Sequence, residues 1–204
     1  ACFISYPNDD GQQGELVRDI ADSISKSLAP HLGAMLEVQS PIYFDKDHTH
    51  ANDEIAKALC ESACLVMVLT PKYFKKPLCA IEYKAMIELE KKRLLSTGKL
   101  PDNLSFIIPI RVYGREILPM EIFGSRRDYD FRNAVTLGDL SKHPQYGMII
   151  KDLAEHIFRC YQALEKCDED PCCECSEFRL PELDHVQELL SFSNPPLRQA
   201  FPTR

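Results

Sequence analysis

The order of apolar and polar positions along the chain predicts strands alternating with helices. Residues 2–6 are a short apolar run, and the polar turn Pro7-Asn8-Asp9-Asp10-Gly11 follows it. Leu16, Val17, Ile20, Ile24 and Leu28 then recur at helical spacing. A second unit follows: a strand over residues 42–45, a polar loop over 46–51, and a helix that Asn52 or Asp53 can cap, running to about Ser62. Residues 65–70 are almost continuously apolar, the mark of a strand covered on both faces. A helix opens at Pro77 and ends near Gly98, residues 106–112 read as a fourth strand, and 128–131 as a short fifth. The last long helix, over 146–164, turns Ile149, Ile150, Leu153, Ile157 and Tyr161 inward, and a short helix is expected within 181–191. Such alternation requires right-handed crossovers. It predicts an α/β three-layer sandwich, a central parallel five-stranded sheet with helices on both faces. Residues 1–165 read as one domain and 166–204 as a cysteine-containing C-terminal tail, a linker to a further domain. The chain opens directly on a core strand, which reads as a piece excised from a longer protein.

Glu82 sits where a helix of this pattern should not carry a charge. At about 100° per residue, Leu78, Ile81, Ala85 and Leu89 share one stripe, with Met86 at its edge. Glu82 falls inside that stripe, about 40° from Leu78 and about 20° from Leu89. Lys84, Glu88, Glu90, Lys91 and Lys92 lie behind it or at its margins, so Glu82 is the one charge of this helix expected to point inward. A carboxylate there is costly unless it is paired or lines a cleft, which makes it a site candidate. The competing reading is a structural ion pair with a basic residue of a neighbouring strand, such as Arg111.

Charge narrows the function classes. A net charge of −7 and a pI near 5.4 argue against a nucleic-acid surface, which needs clustered positive charge; Lys91-Lys92-Arg93 and Arg126-Arg127 read as solvated faces. No stretch reaches about 18 consecutive apolar residues and no basic-then-apolar leader is present, so the chain reads as soluble and cytoplasmic with no membrane partner. Of the nine cysteines, Cys2, Cys60, Cys64, Cys79 and Cys160 lie in apolar patterns and read as small core hydrophobes. Cys167, Cys172, Cys173 and Cys175 cluster in the acidic tail, with His185 beyond. Their spacing is not that of a zinc ribbon or finger, so exposed reduced thiols are expected there and no metal. His48 and His50 read as solvated loop residues.

Ligands of an open parallel sheet sit outside the carboxyl ends of its strands, where strand order reverses. The loops at that rim are residues 6–11, 45–51, 70–77 and 112–119, and Glu82 lies early in the helix leaving the third of them. Gly11 and Gly14 stand in the first turn, but neither glycine-rich phosphate fingerprint is present, which argues against a dinucleotide-binding dehydrogenase or an ATPase.

Phe3-Ile4-Ser5-Tyr6, Ile42-Tyr43-Phe44-Asp45, Leu65-Val66-Met67-Val68-Leu69-Thr70-Pro71 with Tyr73-Phe74, and Leu78-Cys79-Ala80-Ile81-Glu82 together resemble the Toll and interleukin receptor (TIR) domain over about residues 1–165. The last segment is similar to the family's W-C-x-x-E, with Leu78 in place of its tryptophan. The resemblance implies a flavodoxin-like fold. Many TIR domains cleave NAD at the nicotinamide-ribose bond, and their catalytic glutamate matches Glu82. By position, Tyr6 and Asn8 would border the nucleotide from the first loop, and Asp45 and Asp47 from the second. NAD would be the substrate, with no further cofactor, and self-association with other TIR domains would complete the site in an immune or cell-suicide effector. A signalling module that only binds other TIR domains is the main alternative. A nucleoside deoxyribosyltransferase-like enzyme, which also uses a glutamate but ignores NAD, is a third.

Overall fold

The computed structural model describes residues 1–9, 11–37, 41–44, 51–98, 100, 104–113, 126–132, 145–167 and 175–191. Five parallel strands, β1 (Cys2–Ser5), β2 (Ile42–Tyr43), β3 (Cys64–Leu69), β4 (Ile107–Arg111) and β5 (Tyr129–Asp130), form one sheet in the order β2-β1-β3-β4-β5. The register sets Cys2 beside both Ile42 and Cys64, Leu65 beside Ile107, and Ile110 beside Tyr129. Helices α1 (Gln12–Leu36), α2 (Asn52–Glu61), α3 (Pro77–Thr97), α4 (Tyr146–Glu165) and the short α5 (Gln187–Ser191) surround it, with 3-10 turns at Tyr73–Lys75 and Leu183–Val186. This is the parallel three-layer sandwich that the alternation predicts. The chain lays β2 on one side of β1 and β3 on the other, so strand order reverses between β1 and β3.

The period-2 alternation of each strand divides the core into two layers. Cys2, Ile4 and Tyr6, with Cys64, Val66 and Val68 and with Phe106, Ile108 and Ile110, face α1 and α4. Phe3, Leu65, Met67, Leu69 and Ile107 face α2 and α3. On α1 the buried stripe is Val17, Ile20, Ile24, Leu28 and Leu32, and the helix runs through Pro30, which stands on the exposed side. Leu16, expected in that stripe, is 37% exposed, because it lies nearly a quarter-turn outside the line through Val17 and Ile24. Pro77 opens α3 with a preset φ, and Gly98 ends it at φ 71.

The α2 and α3 layer departs from expectation in two ways. First, Glu82 is not the only inward charge of α3: Glu90 and Arg93 are also buried. The stripe runs through Cys79, Glu82, Met86 and Arg93, rotated away from Leu78 and Ile81. Arg93, expected in a solvated basic run, donates to the carbonyls of Cys60, Ser62 and Ala63 and lies over the Phe106 ring. It thereby satisfies carbonyls left without partners where α2 ends. Glu90 accepts from the Phe106 amide and pairs with Arg126, which is therefore not a free loop cation.

Second, the tail joins the packing. Cys60 and Cys175 form a disulfide, so neither is the reduced thiol expected: Cys60 is not a simple core hydrophobe and Cys175 is not an exposed thiol. The linked segment lays Phe178, Leu180, Leu189 and Leu190 against the α2 and α3 layer, with Val186 fully buried. Cys167 is free and partly exposed, and Cys172 and Cys173 lie outside the described residues. Cys2, Cys64, Cys79 and Cys160 are buried free thiols, as expected of core positions.

Candidate functional site

Ser5 closes β1 with its side chain on the α2 and α3 side, and α3 brings Glu82 up against it. The Ser5 hydroxyl donates to Glu82 Oε2 at 2.5 Å, and the Tyr73 hydroxyl lies 2.5 Å from the same Ser5 oxygen. A serine has one proton. With that proton committed to the carboxylate, Tyr73 is the donor of the second bond. All three residues are buried, Glu82 at 4% exposure. Burial first, then the charges of Cys79 and Glu82, raise the Tyr73 phenol well above its ordinary range, so it stays protonated as that donor. The Cys79 thiol is raised by burial and then by Glu82, and it donates to the Tyr6 carbonyl at 3.4 Å, tying the first turn of α3 to the loop leaving β1. Arg111, the suggested ionic partner of Glu82, pairs instead with Asp128 and Asp130 at the β4–β5 edge.

The other expected site residues are placed differently. Tyr6 is buried beneath the rim with its ring against Phe44, so its ring belongs to the α1 and α4 core. Asn8 is exposed on the turn. Asp45 and Asp47, like His48 and His50, lie outside the described residues. Asp9 is not among the site residues expected from sequence. Its carboxylate is gripped by Lys72 Nζ at 2.8 Å and Lys76 Nζ at 2.5 Å, and hydrogen bonds from Lys72 and then Lys76 hold it below the usual carboxylate range. Ser5 and Tyr73 were also missed, although a lone hydroxyl in an apolar strand, two residues from Phe3 on the same face, was a signal that could have found the first.

Glycine makes the fold of this loop possible. Gly11 caps α1 at φ 86, a conformation that side chains rarely adopt. A Cβ on Gly14 would stand 1.7 Å from the Asp9 carbonyl oxygen, so the loop can press on α1 only because position 14 has none. Gly11 is needed for its positive φ and Gly14 for the close approach of the loop. Between the loop and the exit of β3 lies a cleft of about 130 Å³, walled by Pro7, Asp9, Gly14, Thr70, Lys72 and Tyr113 among others, at the point where strand order reverses. Glu82 is not among its walls. It lies across β1, on the other face of the sheet.

Chemically, the rim offers a buried carboxylate fixed by hydroxyls and, nearby, two lysines sharing one anion. Among the described residues no group of three or more histidines, cysteines and acids is placed to hold a metal ion, and no helix is long and apolar enough to cross a membrane. Comparison with curated proteins and with solved structures gives no match. The family model of the TIR domain matches residues 2–141. With the sheet order and the two-layer core above, that match over most of the chain places this protein in the TIR-domain family.

Proposed function

We propose that the domain cleaves NAD at the bond between nicotinamide and ribose, with Glu82 as its catalytic carboxylate. The observation that carries this reading is a buried carboxyl side chain hydrogen-bonded by Ser5 at the end of β1, the end of the sheet where ligands of such folds bind. As the C1–N bond breaks, its electron pair leaves with nicotinamide, a neutral leaving group, and positive charge grows on the ribose. A preorganised carboxylate opposes that charge in the transition state more than in the ground state. Water then supplies the oxygen at C1, giving nicotinamide, ADP-ribose and a proton; attack by the adenine of the same molecule would give a cyclic product. Asn8, Asp45 and Asp47 remain candidates for bordering the nucleotide, with Tyr6 supporting the first loop from the core beneath it; other TIR domains are the proposed partners, self-association triggering an immune or cell-suicide response.

A non-enzymatic module that acts by binding other TIR domains is favoured by one observation, the 4% exposure of Glu82, which leaves the carboxylate little contact with solvent. One experiment separates the readings. Concentrated protein is incubated with NAD and the products are resolved by chromatography. Nicotinamide release that falls about a thousandfold in Glu82→Gln, a loss typical for one electrostatic group, with the melting temperature kept or raised, supports the enzyme. Strong destabilisation of Glu82→Gln with no NAD consumed by the wild type supports the binding module.

A further inference from the structure

We propose that Lys72 and Lys76 form a subsite for the diphosphate of a dinucleotide, and that Asp9 fills it in this structure as an internal anion. The inference rests on the NAD reading above, whose substrate carries such a group. The two ammonium groups converge on opposite oxygens of one carboxylate, Lys72 on Oδ2 and Lys76 on Oδ1. Two point charges bridging the oxygens of one anion suit a phosphate equally well. The three residues come from the loops leaving β1 and β3, on either side of the reversal of strand order. Lys76 is the N-cap of α3 and stands six residues before Glu82, about 9 Å along the helix axis.

The arrangement suits an exchangeable occupant. The lysine side chains are 49% and 34% exposed, and solvent screening leaves such pairs weak. A diphosphate brings two negative charges and more acceptor oxygens than a carboxylate, so it competes favourably for both ammonium groups. The Asp9 backbone is pinned, since its carbonyl abuts Gly14, but its side chain can swing out without moving the loop. The adjoining cleft, with Pro7, Val17 and Tyr113 in its walls, is far smaller than the roughly 300 Å³ that a full ligand pocket needs. It can shelter a fragment beside the phosphates, and the rest of the ligand would cross the end of β1 to reach Glu82 on the other face of the sheet.

The test is calorimetric titration of the full chain at low salt with ADP-ribose, with inorganic pyrophosphate, and with nicotinamide riboside, which lacks the diphosphate. Asp9→Asn should bind ADP-ribose and pyrophosphate several-fold tighter, because the internal competitor is gone. Lys72→Gln combined with Lys76→Gln should bind both at least about tenfold more weakly, and wild-type affinity should fall as salt rises. Binding of nicotinamide riboside should respond to neither change. If Asp9→Asn binds no tighter, or if the lysine variant binds ADP-ribose as the wild type does, the subsite is refuted even in a protein that hydrolyses NAD. Lysine-dependent binding of ADP-ribose by a protein that leaves NAD intact would keep the subsite and refute the hydrolase reading instead.

Discussion

On one face of the sheet, α1 and α4 meet through apolar stripes, Val17, Ile24 and Leu28 against Ile150, Leu153 and Ile157, with Ile4, Val66 and Ile108 beneath them. The polar groups inside that layer satisfy one another. Tyr129 and His156 share a hydrogen bond, His156 also meets the Ser105 backbone, and the Tyr146 hydroxyl reaches Ser23 and Ser27. The other face buries Glu82, Glu90 and Arg93 along a single helix, and a disulfide-tied tail finishes it. Buried charges cost several kcal/mol each unless they are well compensated. Glu90 and Arg93 are compensated by backbone groups, by Arg126 and by the Phe106 ring, and so fix the junctions of α2, β3 and β4. Glu82 is held by a hydroxyl relay at the ligand rim. One face is closed by apolar packing, and the other buries charges, one of them in the proposed site.

If the tail is part of the second layer, cutting its tie should cost the most. The Cys60–Cys175 bond links positions 115 residues apart, and closing so long a loop contributes about 4–5 kcal/mol by restricting the unfolded chain. Cys175→Ser should lower the unfolding free energy by that amount in denaturant titration. A truncation before residue 175 should lose more, since Val186 and its apolar neighbours leave the layer too. An unchanged midpoint for both variants would show the tail to be a passenger. The layer would then be complete without it.

How legible each face is from sequence follows the same division. The α1 and α4 layer was readable because its burial obeys one period: Ile20, Ile24, Ile150 and Ile157 declare themselves, and only Leu16 misled, by sitting beside the stripe. On α3 the stripe was placed on Leu78 and Ile81 because burial was equated with apolarity, which hid Glu90 and Arg93. Arg93 is buried by its bonds to carbonyls at the end of α2, a tertiary contact with no trace in local pattern. Glu82 was found because it interrupts apolar neighbours on either side of the true stripe. Asp9 and the two lysines were missed because a turn rich in acids and scattered surface lysines look like solvent-facing residues until the fold brings them together. The disulfide could not be inferred from four irregularly spaced tail cysteines, since pairing depends on where α2 and the tail come to lie.

The apolar face carries its own sensitivity to acid. His156 is pushed down to about 4, by burial first, with the charges of Arg127 and Arg159 behind it, so its ring is neutral in the folded state. The unfolded chain takes up that proton near the ordinary value of about 6.5. Unfolding therefore binds a proton between those limits. The stabilisation is complete above about 6.5 and is lost as the pH falls towards 4, by at most about 3 kcal/mol. Chemical denaturation from pH 7 to 4 should show this slope, and His156→Gln should flatten it while starting from a lower stability at pH 7. A slope unchanged in the variant would assign the acid sensitivity to carboxylates rather than to His156.

The smallest change sharpens the comparison furthest, because it can be made identically on both faces by deleting one buried hydroxyl from each. Tyr146→Phe removes the bonds to the Ser23 carbonyl and the Ser27 hydroxyl. Both partners lose a donor that water near the surface can replace, so the loss should be about 1 kcal/mol, with any NAD turnover per folded molecule unaltered. Ser5→Ala removes the bridge between Tyr73 and Glu82. Bonds to charged groups contribute more, so stability should fall by about 1.5–3 kcal/mol. If the domain hydrolyses NAD as proposed, a carboxylate freed to change rotamer should also turn it over about tenfold more slowly at unchanged KM, since orientation acts on the transition state. Thermal melts and initial rates on the two variants decide the matter. Equal activity in both would mean that the relay only packs the end of β1, and that the polar face is organised for folding, as the apolar one is.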